Sequence, residues 1–177
     1  MRNIGLLVTR VIFGSYLAVH GAQKLFGSFG GPGLDTTGAA FESIGLKPGK
    51  LQAALAGASE FGGGVLTATG VANPLGPLAI AGTMAVASVT HRKQGPLAQN
   101  GGFELPLTNF AVAVALLTTG PGRLRLGPAS PRWLTRISFL AGIVLAVSAV
   151  RQLLGATPPA PAATDESSAD PEDAPPS

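Results

Sequence analysis

The chain has 177 residues, of which 46% are hydrophobic and only 12% charged, with a mean hydropathy of +0.37. Soluble domains carry about 25% charged residues, so this composition leaves too few charges to coat a water-facing surface and points to a membrane protein. Cysteine is absent, which excludes disulfides, thiolate metal sites, iron–sulfur clusters and a thiol nucleophile within the chain.

The net charge of +3 hides an asymmetry. All twelve Lys and Arg lie at or before Arg151, against four acids there, while five acids follow it. A basic body suits anionic headgroups. No basic run is interleaved with aromatics, so the chain gives no sign of nucleic-acid binding.

The first predicted element is an apolar run from Ile4 to Phe26, long enough to cross a bilayer. It is too long for a cleaved leader and no small-x-small site follows, so it reads as a retained span. Arg10, His20 and Lys24 interrupt it. On a helical wheel Arg10, Leu17, His20 and Lys24 fall within about 80° of one another. Charges are expensive in lipid, so this stripe must face protein or water.

Residues 27–50 are Gly-rich and read as a loop, with a short interfacial helix over 37–45 whose apolar side carries Phe41 and Ile44. A second span runs from 51 to 71 and holds Glu60 among small residues, including Ala53, Gly57, Gly63, Gly64 and Thr67. Small residues let helix backbones approach, so the Glu60 face is a packed face. Asn73-Pro74 makes a turn. A third span runs from 75 to 90 and ends at His91-Arg92-Lys93. A fourth, from 105 to 119, follows Glu104. Both are short for a bilayer.

Arg123, Arg125 and Arg132 mark a basic loop before a fifth span, 133–154. From 156 onward Pro, Ala, Ser and acids dominate, as expected of a disordered acidic tail. The expected architecture is therefore all-α: an integral membrane bundle of four helices over 1–122, then a basic loop and a fifth transmembrane helix over 123–155, then the tail. The positive-inside rule leaves the orientation nearly balanced, with the N-terminus inside the reading taken.

Antiparallel spans bring His20, Lys24, His91 and Glu104 to similar depth at the end carrying the 27–50 loop. Glu60, leaning toward its own helix N-terminus, reaches that cluster, with His20 or Lys24 as its partner, while Arg10 points to the other leaflet. A pocket lined by these five groups and covered by the Gly-rich loop is the expected ligand site. Plainer roles stand beside it: a buried ion pair that only fixes helix register, a snorkelling His91, Glu104 as a helix cap, and Arg10 on a headgroup or a carbonyl. His20, His91, Glu60 and Glu104 include metal-ligand types, but no ligand spacing supports a metal site.

Arg10, Gly14, the H-G-x-x-K-L-F-G run His20 to Gly27, Gly45-Leu46, Ala56-Gly57 with Glu60 and Gly63, His91, and Gly102-Phe103-Glu104 together resemble the DoxX family of small bacterial membrane proteins. The resemblance spans about residues 1–122. It implies a four-helix bundle in the bacterial inner (plasma) membrane, with Arg10, His20, Lys24, Glu60, His91 and Glu104 as its polar residues. It also implies association with quinone-linked or oxidative-stress redox systems. The fifth helix, the acidic tail and the lack of cysteine depart from that pattern.

Three function classes follow. The first is a membrane subunit of a redox complex, without a redox centre of its own, that holds a small amphipathic ligand such as a quinone. Its partners would be the lipid bilayer, redox proteins and a second copy of the chain. The second is a non-catalytic scaffold or chaperone-like bundle. The third is a small proton-coupled transporter, which the lack of a visible inverted repeat disfavours.

Overall fold

The computed structural model describes residues 1–155; the expected acidic tail lies outside the described residues. Among the described residues there are six α-helices: α1 (Arg2–Phe26), α2 (Gly33–Ser43), α3 (Gly49–Thr69), α4 (Leu75–Thr90), α5 (Glu104–Thr119) and α6 (Arg132–Gly155). No strand occurs among the described residues. The predicted spans match α1 and α3 to α6 within about two residues at each end. The short helix expected over 37–45 is α2, which begins four residues earlier.

The helix ends follow from local chemistry. Gly27 closes α1 in the left-handed conformation (φ 68°), and its N–H donates to Gln23 O at 3.2 Å. Glycine takes this conformation without strain and satisfies an otherwise orphaned carbonyl. Gly70 closes α3 in the same way. The Asn73-Pro74 turn then leads directly into α4.

Helices α1, α3, α4, α5 and α6 alternate in direction. One end of the bundle holds the start of α1, the end of α3 and the 120–131 connection. The other holds α2, the 91–103 connection and the end of α6. The α1–α3 packing is the most extensive; α3 also packs on α2 and α4, and α4 on α5 and α6. Helix α6 buries little of itself, mainly Ala149 and Leu153.

Glycines determine how closely α1 and α3 approach. Gly14 and Gly21, two turns apart on α1, face Gly64 and Gly57 on α3. A Cβ added at Gly14 would stand 2.5 Å from Gly64 O, and one at Gly21 2.6 Å from Gly57 O. Helix packing in lipid depends on such close approach, because burial of apolar surface brings no gain over lipid tails. On the next face of α3, a Cβ at Gly63 would lie 3.1 Å from Gly76 O of α4. A core of Phe13, Leu17, Ile80, Met84, Ala113 and Leu116 joins α1, α4 and α5.

Helices α1 and α6 are each long and apolar enough to cross a membrane. Helices α4 and α5, at 16 residues each, span about 24 Å at 1.5 Å per residue, short of the roughly 30 Å hydrocarbon thickness.

Candidate functional site

The site is built on the α1–α3 contact. Gly57 has no side chain, and the space a Cβ would need is taken by Leu25 and, at 3.4 Å, by Lys24 Cβ. Lys24 thereby reaches Glu60 one turn further along α3, and its Nζ donates to Glu60 Oε2 in an ion pair. Glu60 is 3% exposed and Lys24 26%. The carboxylate is thus taken from solvent and paired, as a buried charge must be, while the ammonium keeps one open side.

Lys24 and Glu60 border a cavity of about 620 Å³, a groove between α3, α4 and α6. Lys24, Glu60 and His91 stand on its wall, with Phe41 and Leu46 from α2 and its following turn. The rest is mostly apolar and runs past Leu66 and Leu78 to Ser138 on α6. Along α3, from Gln52 to Leu66, the groove extends about 21 Å at 1.5 Å per residue. Small residues hollow it out. Gly62, Gly82 and Gly142, one on each wall helix, all line it, and a Cβ on any of them would meet nothing within 4 Å.

His91 terminates α4. Its Nδ1 lies 2.8 Å from Ala87 O; a carbonyl can only accept, so Nδ1 carries the proton there and Nε2 is left for another partner. The site therefore combines a cation with spare donors, a carboxylate and an imidazole at one end of an apolar groove.

The six expected residues do not all come together. His20 is half-buried one turn before Lys24, within electrostatic reach of Glu60 and Lys24, and its ring packs edge-on to Tyr16 at 4.5 Å. It does not line the groove. Glu104 is exposed at the start of α5, where Oε2 accepts from the Ala98 N–H at 3.0 Å, fastening the 91–103 connection. It too lies outside the groove, so the expected five-residue lining reduces to Lys24, Glu60 and His91. Depth brought His20 and Glu104 level with the site, but neither lines the groove.

Arg10 is 2% exposed and lies toward the opposite end. Its guanidinium donates to Pro121 O and, at 2.6 Å, to Leu124 O. Of its two expected roles, the carbonyl one is what the structure holds. It rests on Gly70, where a Cβ would meet Nη1 at 2.6 Å. Of the 27–50 segment expected to cover the site, Phe41 and Leu46 line the groove and the Gly-rich 27–33 stretch does not. The wall supplied by α6 has no signal in the sequence beyond the small residues Ala141, Gly142 and Ala146. Among the described residues, no three His, Asp or Glu side chains gather as a metal-ligand set.

The helical bundle holds a Lys–Glu pair inside it and has two helices long and apolar enough to cross a membrane. The chain belongs to the DoxX family: the family model matches residues 5–93, from α1 through the end of α4 and His91. The family is membrane-associated. The match ends before the Gly102-Phe103-Glu104 run, α5 and α6. No curated protein and no solved structure matches the chain.

Proposed function

We propose that this chain is a multi-pass inner-membrane protein of five spans, α1 and α3 to α6, that holds a quinone-class amphipathic ligand for a membrane redox complex. The observation that carries the reading is the groove between α3, α4 and α6: apolar over most of its length, and polar where Lys24, Glu60 and His91 meet it. Ligand sites of this kind combine apolar walls with a few convergent polar groups. An isoprenoid tail suits the walls. The Lys24 ammonium suits a quinone carbonyl, which only accepts, while Glu60 and His91 Nε2 suit the hydroxyls of the quinol, which donate. The redox association rests on the family and is the reason for choosing a quinone over another amphipath.

A scaffold reading has one observation in its favour. The Lys24–Glu60 pair bridges α1 and α3 where the glycines bring them closest, as a register lock would.

Melting of the purified protein with a short-tailed quinone analogue separates the two. A ligand present at 100 times its Kd stabilises by about 2.7 kcal/mol, so the analogue raises the melting temperature of the wild type by several degrees. Glu60→Gln and the groove-filling Gly82→Leu both fold and lose that rise. A wild type that does not respond, or a Gly82→Leu protein that responds fully, favours the scaffold.

A further inference from the structure

The opposite end of the bundle carries a second feature that the groove does not use. The 120–131 connection lies across the start of α1 and the end of α3 as a strap. Leu126 N–H donates to Thr69 O at 3.1 Å, Ala72 N–H to Pro128 O at 3.0 Å and Ser130 N–H to Asn73 O at 2.8 Å. Arg123 N–H reaches Asn3 Oδ1 at 3.3 Å, and Arg10 holds the carbonyls of Pro121 and Leu124 from beneath. Between strap and helices is a cavity of about 300 Å³, walled by Leu7, Val11, Ala68, Leu124 and Leu126 with Arg10. Leu126 is 81% exposed, so this apolar notch opens at the surface.

Among the described residues the rim is basic and carries no acid. Arg2, Arg123, Arg125, Arg132 and Arg136 are all exposed at this end. The four acids among the described residues, Asp35, Glu42, Glu60 and Glu104, lie on α2, mid-α3 and the far start of α5. The two ion pairs found there, Lys24–Glu60 and Lys50–Asp35, use none of these arginines. Trp133, also exposed, stands beside Arg132 at the start of α6; its amphipathic ring suits the headgroup level.

We propose that the strap notch is a binding site for an anionic glycerophospholipid, with Arg123 and Arg125 meeting the phosphate-bearing headgroup and one acyl chain entering between Leu7, Val11 and Leu126. Charge complementarity selects the headgroup, because no acid among the described residues stands at the rim and basic pockets beside spanning helices recruit anionic lipids. The notch selects a lipid over a free anion, because only an acyl chain fills apolar space. The arrangement also places this end at the anionic cytoplasmic leaflet.

The test is thermal melting of the full chain in neutral detergent with phosphatidylglycerol, with phosphatidylcholine of the same chains, and with glycerol phosphate alone. Phosphatidylglycerol raises the melting temperature by several degrees, phosphatidylcholine by less than half as much, and glycerol phosphate not at all. The shift falls by half or more in Arg123→Gln/Arg125→Gln and in Leu126→Ser. It persists in Arg92→Gln/Lys93→Gln, which removes the same charge from the other end, and in Gly82→Leu, which separates this site from the groove. Equal shifts with both lipids, a shift with glycerol phosphate alone, or a full shift in the strap double variant each overturn the proposal.

Discussion

Lys24 and Glu60 make the site a matter of one buried pair, and the energetics of such pairs are asymmetric. Removing one member leaves the other unpaired, at a cost of about 3–5 kcal/mol in soluble interiors, whereas coupling energies inside membranes average about 0.6 kcal/mol. A double-mutant cycle of Glu60→Gln and Lys24→Met, read as detergent stability, is expected to give a coupling near 1 kcal/mol. The same cycle with His20→Gln in place of Lys24→Met is expected to give a smaller one, since His20 makes no hydrogen bond to the carboxylate; equal couplings would contradict the pairing. Arg10 acts at the other end. Hydrogen bonds to charged groups contribute about 1.5–3 kcal/mol each, and Arg10 makes two, both to the strap. Arg10→Met is therefore expected to loosen residues 120–131, and trypsin, cutting after Arg123 and Arg125, should nick the variant faster than the wild type. Unchanged cleavage would show that backbone bonds alone hold the strap.

The helices differ in how much room their glycines leave. Gly14, Gly21, Gly57 and Gly64 sit where α1 and α3 touch, while Gly62, Gly82 and Gly142 border open space. Gly21→Val and Gly64→Val should therefore prevent the α1–α3 approach, with losses at or above the 1–3 kcal/mol usual for overpacking. Gly82→Val and Gly142→Val should cost less than about 1 kcal/mol. Comparable losses in both groups, measured by thermal melting, would mean the close contact is misplaced. The helix limits were legible in the sequence to within about two residues because the apolar runs are broken at the Gly-rich stretch from Gly27, the Asn73-Pro74 turn and Gly120, where the chemistry of caps and turns is local. The packed face of α3 was legible too, because small residues around Glu60 have few other uses in a spanning helix. The strap was not: its bonds to 69–73 are mostly backbone bonds, which leave no residue pattern. Nor was the α6 wall, since no periodicity tells which neighbour a helix joins. His20 and Glu104 illustrate the same limit, because sequence spacing gives depth along a bundle but not the angle around it.

At the scale of the molecule, the five alternating helices define two ends, which the proposed topology sets on opposite faces of a membrane. The chain is free of cysteine, so single substitutions report sidedness cleanly. Lys93→Cys, on the α2 end, and Ala129→Cys, in the strap, should label on opposite sides of sealed vesicles with an impermeant thiol reagent; labelling from the same side would break the five-span topology. With that topology, the groove opens within the bilayer, its polar end toward α2, and an amphipath can occupy it with its tail along α3, α4 and α6. The most direct test of that occupancy is mass spectrometry of the lipid extract from gently purified protein, with Glu60→Gln and Gly82→Leu prepared alongside. The expected result is a quinone-class molecule enriched in the wild-type extract and depleted in both variants while all three proteins elute as folded species. An extract with no enriched small molecule, or one equally enriched in all three proteins, would contradict it.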